Sequence, residues 1–276
     1  MQSDEVRVLQ FTQLHESLSA KLEPKPMPTD KPTSPDERLQ QEFNRWVEAG
    51  EGAKMQRHHL DITGKTMRLM DLRPGERILD LGCGSGWATR LLARMVGERP
   101  DGFGQVVGVD ISDEMIRQAR AQSKDFDNVM FVVGSSAQIP WEENFFDKVL
   151  SVESFYYYPD QDRALAELFR VMAPLGRLFI LINLYKDNPY SLQWVPKLRV
   201  PVHVRSAQEY VDLLKAHAFQ NVEYRMIPDN TPTPDDYKTT SFHSLDDLRA
   251  FKRVGALLLM ASKPEVRNPA PGYTIY

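Results

Sequence analysis

Asp80-Leu81-Gly82-Cys83-Gly84-Ser85-Gly86 puts glycines at three alternate positions between a short strand-like run, Arg77–Leu81, and a helical one, Trp87–Val96. Backbone without Cβ atoms turns sharply and lets a ligand come close. The helix that opens next offers its unpaired N–H groups to the same ligand. A strand, a glycine turn and a helix in that order begin a crossover unit, and the rhythm continues downstream. Strands are expected at Gln105–Val109, Val129–Val133, Asp147–Val152, Arg177–Asn183, Val222–Ile227 and Ala256–Ser262. Helices are expected from Ser112 to Gln122, Asp162 to Met172 and Ser206 to His217, the first capped by the Ser112 hydroxyl. Such alternation predicts an α/β fold with helices on both faces of a mostly parallel sheet.

Asp110 closes the second strand, where a carboxylate can accept hydrogen bonds from both hydroxyls of a ribose. A glycine loop with that acid also suits a dinucleotide enzyme. Two residues argue otherwise. The dinucleotide fingerprint needs a further glycine where this chain has Trp87, and Asp80 beside the loop would repel a pyrophosphate. That carboxylate suits a ligand bearing an ammonium group.

Residues 72–184 resemble the class I S-adenosylmethionine-dependent methyltransferases, in particular the small-molecule group with the ubiquinone and menaquinone biosynthesis enzymes. Leu79–Gly86 is similar to the first motif of that family and Val109-Asp110-Ile111-Ser112 with Met115 to the second. Asn144–Asp147 and Leu168–Arg177 are similar to the later ones. The resemblance implies a Rossmann-like three-layer sandwich, its seven-stranded sheet closing on an antiparallel last strand. It implies S-adenosyl-L-methionine as cofactor, held by Asp80, Gly82, Cys83, Gly84, Gly86, Asp110, Ile111, Met115, Ser135, Ser136 and Val152. One position departs from the family. Where Gly-Asp-Ala is usual, with the Asp on the adenine amine, this chain has Gly134-Ser135-Ser136-Ala137. Ser135 can accept a hydrogen bond there without charge assistance, leaving more to Ser136, Ile111 and Met115.

The segments before the core divide into an arm and helices. Residues 1–22 carry Val8, Leu9, Phe11 and Leu14 and could form a short helix. Pro24, Pro26, Pro28, Pro32 and Pro35 make 23–36 a linker. Helices are expected within 37–72, covering the cofactor site, and the core in 73–276 with insertions at 185–205 and 228–249. Net charge is -4, so no strong basic field points to nucleic acid. The longest apolar run, Ala256–Ala261, is far short of a membrane span. The acidic start Met1–Glu5 lacks a signal-peptide pattern, so a cytoplasmic location is expected. One cysteine, Cys83, allows no internal disulfide, and no metal site is expected.

Methyl transfer from a sulfonium needs an aligned nucleophile, and a base only where the acceptor loses a proton. Glu153 and Tyr156 are the catalytic candidates, Glu153 equally open to a structural ion pair. Trp46, His58, Tyr157, Tyr190 and Trp194 are candidates to contact substrate, the last two as an apolar lid, although these aromatics could equally fill core. His58 and His59 point to different helix faces, so they make a poor metal pair. His203 and His243 are minor candidates. Val152-Glu153-Ser154-Phe155 lacks the Pro-Pro-aromatic run of nucleobase amine methyltransferases, and no cysteine stands there for cytosine-C5 chemistry. A small organic acceptor is expected, with a homodimer left open. A nicotinamide-dependent oxidoreductase and a non-catalytic S-adenosylmethionine-binding subunit are the alternatives.

Overall fold

The computed structural model describes residues 34–99 and 102–265. The helix expected in 1–22 and most of the proline-rich linker lie outside them. Among the described residues two helices come first, α1 (Pro35–Glu48) and α2 (Glu51–Leu69). Besides a two-residue hairpin that pairs Glu98–Arg99 with Gly102–Phe103, seven strands follow: β1 (Arg77–Leu81), β2 (Gln105–Asp110), β3 (Val129–Val133), β4 (Phe146–Val152), β5 (Met172–Ile182), β6 (Gln220–Ile227) and β7 (Ala256–Ser262). Between them run α3 (Trp87–Val96), α4 (Asp113–Ala121), α5 (Gln161–Val171), α6 (Ala207–Ala216) and α7 (Leu245–Val254).

The strands form one sheet in the order β3-β2-β1-β4-β5-β7-β6. The first five are parallel, and β7 runs antiparallel to both β5 and β6. This is the expected Rossmann-like sandwich. Alternation along β1 feeds two cores. Ile78 packs with Trp87, Leu92 and Val106 on one face, and Leu79 and Leu81 with Val107, Val109 and Val149 on the other. The order reverses at β1, with β2 on one side and β4 on the other. That opens a crevice at the carboxyl ends of the strands.

Several boundaries differ from the sequence reading: Met172, expected to end a helix, opens β5, which was expected from Arg177, and β6 starts at Gln220 instead of Val222. Two further differences bear on the site. Pro35 does not belong to the linker but opens α1 at its first turn, where its missing N–H costs nothing. Ser34 and Glu37 cap that turn reciprocally. The second insertion ends inside a helix, α7, which Ser244 caps and which runs on to Val254, burying Leu248 and Phe251.

Candidate active site

The carboxyl ends of β1 to β4 form a cleft roofed by α1 and α2. The floor is Gly82, Cys83, Gly84 and Ser85 after β1, Asp110 and Ile111 at the end of β2, Gly134 and Ser136 after β3, and Val152, Glu153 and Ser154 at the end of β4. Met115 of α4 and Tyr157 close the sides. The roof is a single face of α1, Asp36, Leu39, Phe43 and Trp46, spaced three or four residues apart, joined by Met55 and His59 of α2. Asn44 fixes α1 over the cleft. Its amide donates to Asp113 Oδ1 at 2.9 Å and accepts from the Ser112 hydroxyl at 2.6 Å.

The glycines have separate reasons. All three adopt positive φ, 78° at Gly82, 51° at Gly84 and 75° at Gly86. A Cβ on Gly82 would stand 2.4 Å from Ser154, and one on Gly86 would stand 2.6 Å from Phe131. Those two permit protein packing. A Cβ on Gly84 would meet nothing closer than the Met115 sulfur at 3.9 Å, so there the space is kept for a ligand.

The wall is acidic. Asp36, Asp80, Asp110 and Glu153 line it, with His59, and neither lysine nor arginine is among the lining residues. Asp80 accepts from the Thr89 hydroxyl at 2.6 Å. Burial, helped by the charge on Asp110, raises its pKa to about 7. Asp110 accepts from the backbone N–H of Gly84 at 2.8 Å and of Ser112 at 2.9 Å, one on each oxygen. Burial still raises its pKa, those N–H groups pulling the other way. Each oxygen keeps a lone pair for a ligand hydroxyl. Burial also pushes the Cys83 thiol far up, so it is no nucleophile.

Glu153 leaves β4 with a positive φ of 53°, a conformation rare for a residue with a Cβ. Its Oε2 accepts from the Tyr156 hydroxyl at 3.1 Å, while Oε1 is buried and takes no hydrogen bond of ordinary geometry. Burial raises its pKa to about 8, the Tyr156 hydroxyl and nearby Asn183 offsetting part of the effect. His59 Nε2 stands 3.9 Å from the same Oε2. The contact is not an ion pair at neutral pH, because burial lowers the His59 pKa to about 4 and leaves the imidazole uncharged.

Most of the expected residues meet in this cleft: Asp80, Gly82, Cys83, Gly84, Asp110, Ile111, Met115, Ser136, Val152, Glu153, Trp46 and Tyr157 all line it. Six do not. Gly86 packs under Phe131, and Ser135 is not among the lining residues, its hydroxyl donating to Asp36. Tyr156 touches Glu153 from within the core. His58 is exposed, and its neighbour His59 is the buried one. Tyr190 and Trp194 are not among the residues lining the cleft. Trp194 packs on Phe242 and Phe251 at 5.6 and 5.2 Å, because α7 offers it an apolar partner away from the cleft. The 185–205 segment meets the same aromatics from another side: Leu198 and Val200 line a hollow with Phe43, Trp46 and Tyr157, and His203 donates its backbone N–H to Tyr156 O at 2.8 Å. His243 is exposed, its backbone N–H donating to Gln193. Sequence reading missed Asp36 and Phe43 as wall residues, and of the pair His58 and His59 it named His58 where His59 lines the cleft. The Ser34-to-Glu37 capping box and the spacing of His59 with Ile62, Thr66 and Met70 were their available signals.

The family described as Methyltransferase domain matches residues 79–180. The Psychromonas ingrahamii ubiquinone/menaquinone biosynthesis C-methyltransferase UbiE is 30% identical over 175 residues, covering 59% of this chain and 68% of that relative. The Vibrio cholerae enzyme of the same name is 38% identical over 112 residues, so the match spans only 42% of that protein and 40% of this one. Among solved structures, a complex of the Haloferax volcanii Trm112 methyltransferase activator with a methyltransferase superposes with a TM-score of 0.73 at 28% identity. It covers 81% of this chain and 98% of the matched one. The glycine cradle, the acid at the end of β2 and these likenesses agree: the chain belongs to the class I S-adenosylmethionine-dependent methyltransferases and resembles, within them, the ubiquinone/menaquinone biosynthesis C-methyltransferases.

Proposed function

We propose that this protein methylates a carbon of a small, electron-rich aromatic acceptor of the quinol type, and that the cleft residues described above bind both reactants. The observation that carries the reading is the make-up of the wall. Four carboxyl groups with no lysine or arginine among the lining residues suit a cationic ligand, whose charge favours their ionised forms, and oppose a pyrophosphate, which weighs against a nicotinamide enzyme. S-Adenosylmethionine fits that wall and supplies a methyl group activated by a sulfonium. Gly84 leaves room for it, Asp110 accepts from ribose hydroxyls, and Asp80 sits beside the loop that faces its ammonium group.

Phe43, Trp46 and Tyr157 face one another edge to face, at 5.1 to 6.2 Å between ring centres, at the β4 end of the cleft. Flat apolar walls of that kind hold an aromatic ring and exclude water. Glu153 then takes the proton that the acceptor loses as its carbon–methyl bond forms, and Tyr156 holds the carboxylate in place. The names of the relatives support carbon as the methylated atom. The test is turnover with S-adenosylmethionine carrying a labelled methyl group against quinols, phenols, amines and thiols. Label on a ring carbon of the quinol supports the proposal, and label only on nitrogen or sulfur acceptors overturns it.

A further inference from the structure

The end of the cleft farthest from Glu153 holds a carboxylate that the family's motifs do not provide. Asp36 stands in the first turn of α1 and lines the cleft. The Ser135 hydroxyl, just past β3, donates to Asp36 Oδ2 at 2.6 Å and accepts from the Ala137 N–H at 3.1 Å. Ser135 is thus occupied twice and is not among the lining residues, while the acid it holds is one of them. The fixed position of Asp36 has a second support, since Asn44 pins α1 to the start of α4.

The order of the strands says which part of a ligand reaches Asp36. Glu153 follows β4, the glycine loop β1, Asp110 β2 and Gly134 β3, and these strands are adjacent in that order. A ligand whose ribose lies on Asp110 and whose reacting end faces Glu153 must put its base past β2, toward β3. The roof follows the same line. Asp36 and Trp46 are ten residues apart on one face of α1, about 15 Å along the helix. Trp46 packs at the Tyr157 end, and Asp36 is tied to Ser135 at the other.

A carboxylate accepts hydrogen bonds and donates none when ionised. On the edge of adenine the complementary group is the exocyclic amine. Resting on the reading that the cleft binds S-adenosylmethionine, we infer that Asp36 accepts a hydrogen bond from the adenine amine, with Ser135 as the positioning residue that aims it. The carboxylate that reads the base is carried by the roof helix, and the sheet supplies only its tether. Base recognition is thereby coupled to docking of α1, because the same helix must be seated for Asp36 to reach the base.

The test is calorimetric titration of the full chain with S-adenosylhomocysteine and with its 6-deamino analogue, whose purine carries hydrogen in place of the amine. Wild type is expected to prefer S-adenosylhomocysteine by about tenfold to a hundredfold, the range of a hydrogen bond to a charged group. Asp36→Ala should bind both within about threefold of each other, a levelling that loss of a purely structural acid would not produce. Asp36→Asn, which keeps the size of the side chain in the first turn, should lower the preference by about tenfold. Ser135→Ala should lower it in part, and Asp36→Ala combined with Ser135→Asp should regain it by moving the carboxylate to the loop after β3. A folded Asp36→Ala protein that keeps the wild-type preference overturns the inference and leaves the cofactor reading intact. A wild type that binds neither compound overturns both.

Discussion

Tyr156 donates its hydroxyl to one oxygen of Glu153 at 3.1 Å and leaves the other oxygen of that buried carboxyl without a hydrogen bond of ordinary geometry. A carboxyl held this way is oriented and underused, the state expected of a proton acceptor awaiting its substrate. Glu153→Gln should therefore lower kcat by about 10²- to 10⁴-fold while S-adenosylhomocysteine affinity stays within about threefold. The Glu153 pKa is raised to about 8 in the free protein, so the basic form grows as pH rises through that value. The kcat/KM for the acceptor at low cofactor concentration should rise toward pH 8. With a sulfonium bound, the neighbouring positive charge favours the carboxylate and moves the rise to lower pH. A Glu153→Gln enzyme with unchanged kcat would remove Glu153 from the chemistry.

The same burial makes a claim about stability. Asp80 and Glu153 have folded-state pKa values raised to about 7 and about 8, above those of exposed carboxyls. The folded state binds these protons more tightly than the unfolded one. Their stabilising contribution is fully present below pH 4 and is lost as pH rises from about 4 to 8. Asp80→Asn and Glu153→Gln should each raise the melting temperature at pH 8.5 relative to wild type, by about 2–4 °C for each kcal/mol recovered, and change it little at pH 4. A gain as large at pH 4 as at pH 8.5 would mean that the carboxyls are not the cause.

Two glycines in the same loop should respond differently to the same change. Gly82→Ala drives a Cβ to within 2.4 Å of Ser154, whose hydroxyl donates to Leu81 O, and should destabilise the fold by about 2 kcal/mol or more. Gly84→Ala meets only the Met115 sulfur at 3.9 Å, so its folding cost is the backbone strain of about 1 kcal/mol at φ 51°. Its larger effect should be on the ligand, about tenfold or more in S-adenosylhomocysteine affinity. Thermal melts and calorimetry on the pair check both, and equal affinity for Gly84→Ala and wild type would contradict the cradle.

Trp194→Ala separates packing from a lid. Trp194 belongs to a cluster with Phe242 and Phe251 and does not line the cleft. Being only partly buried, it should cost about 1–3 kcal/mol in stability and leave the acceptor KM within about twofold. Trp46→Ala, in the roof, should raise that KM by about tenfold. The reverse pattern in steady-state kinetics would restore the lid.

Much of this fold was legible because the glycine loop, the alternating apolar runs and Asp110 are local signals. Positions on the roof were harder, since they depend on helix phase. His58 and His59 are one residue and about 100° apart, and only the one in register with Ile62, Thr66 and Met70 faces inward. Asp36 was hidden by composition. Five prolines in 23–36 read as a linker, although Ser34-Pro35-Asp36-Glu37 is a helix start in which proline is favoured. Leu245, Leu248 and Phe251 recur at helical spacing after Ser244, but ten residues among polar and proline-rich neighbours did not stand out as α7. Trp194 was assigned from its hydrophobicity alone, which says that a ring will be covered but not by what.

Calorimetric titration of the wild-type chain with S-adenosylmethionine, S-adenosylhomocysteine and NAD measures the central claim most directly. The acidic, lysine- and arginine-free wall predicts that the first two bind with one site per chain, that the sulfonium gains affinity as pH rises from 6 to 8.5 and the carboxyls ionise, and that NAD gives no heat of binding. Binding of NAD in preference to both, or no binding of either methyl-donor compound by the folded protein, would contradict the account.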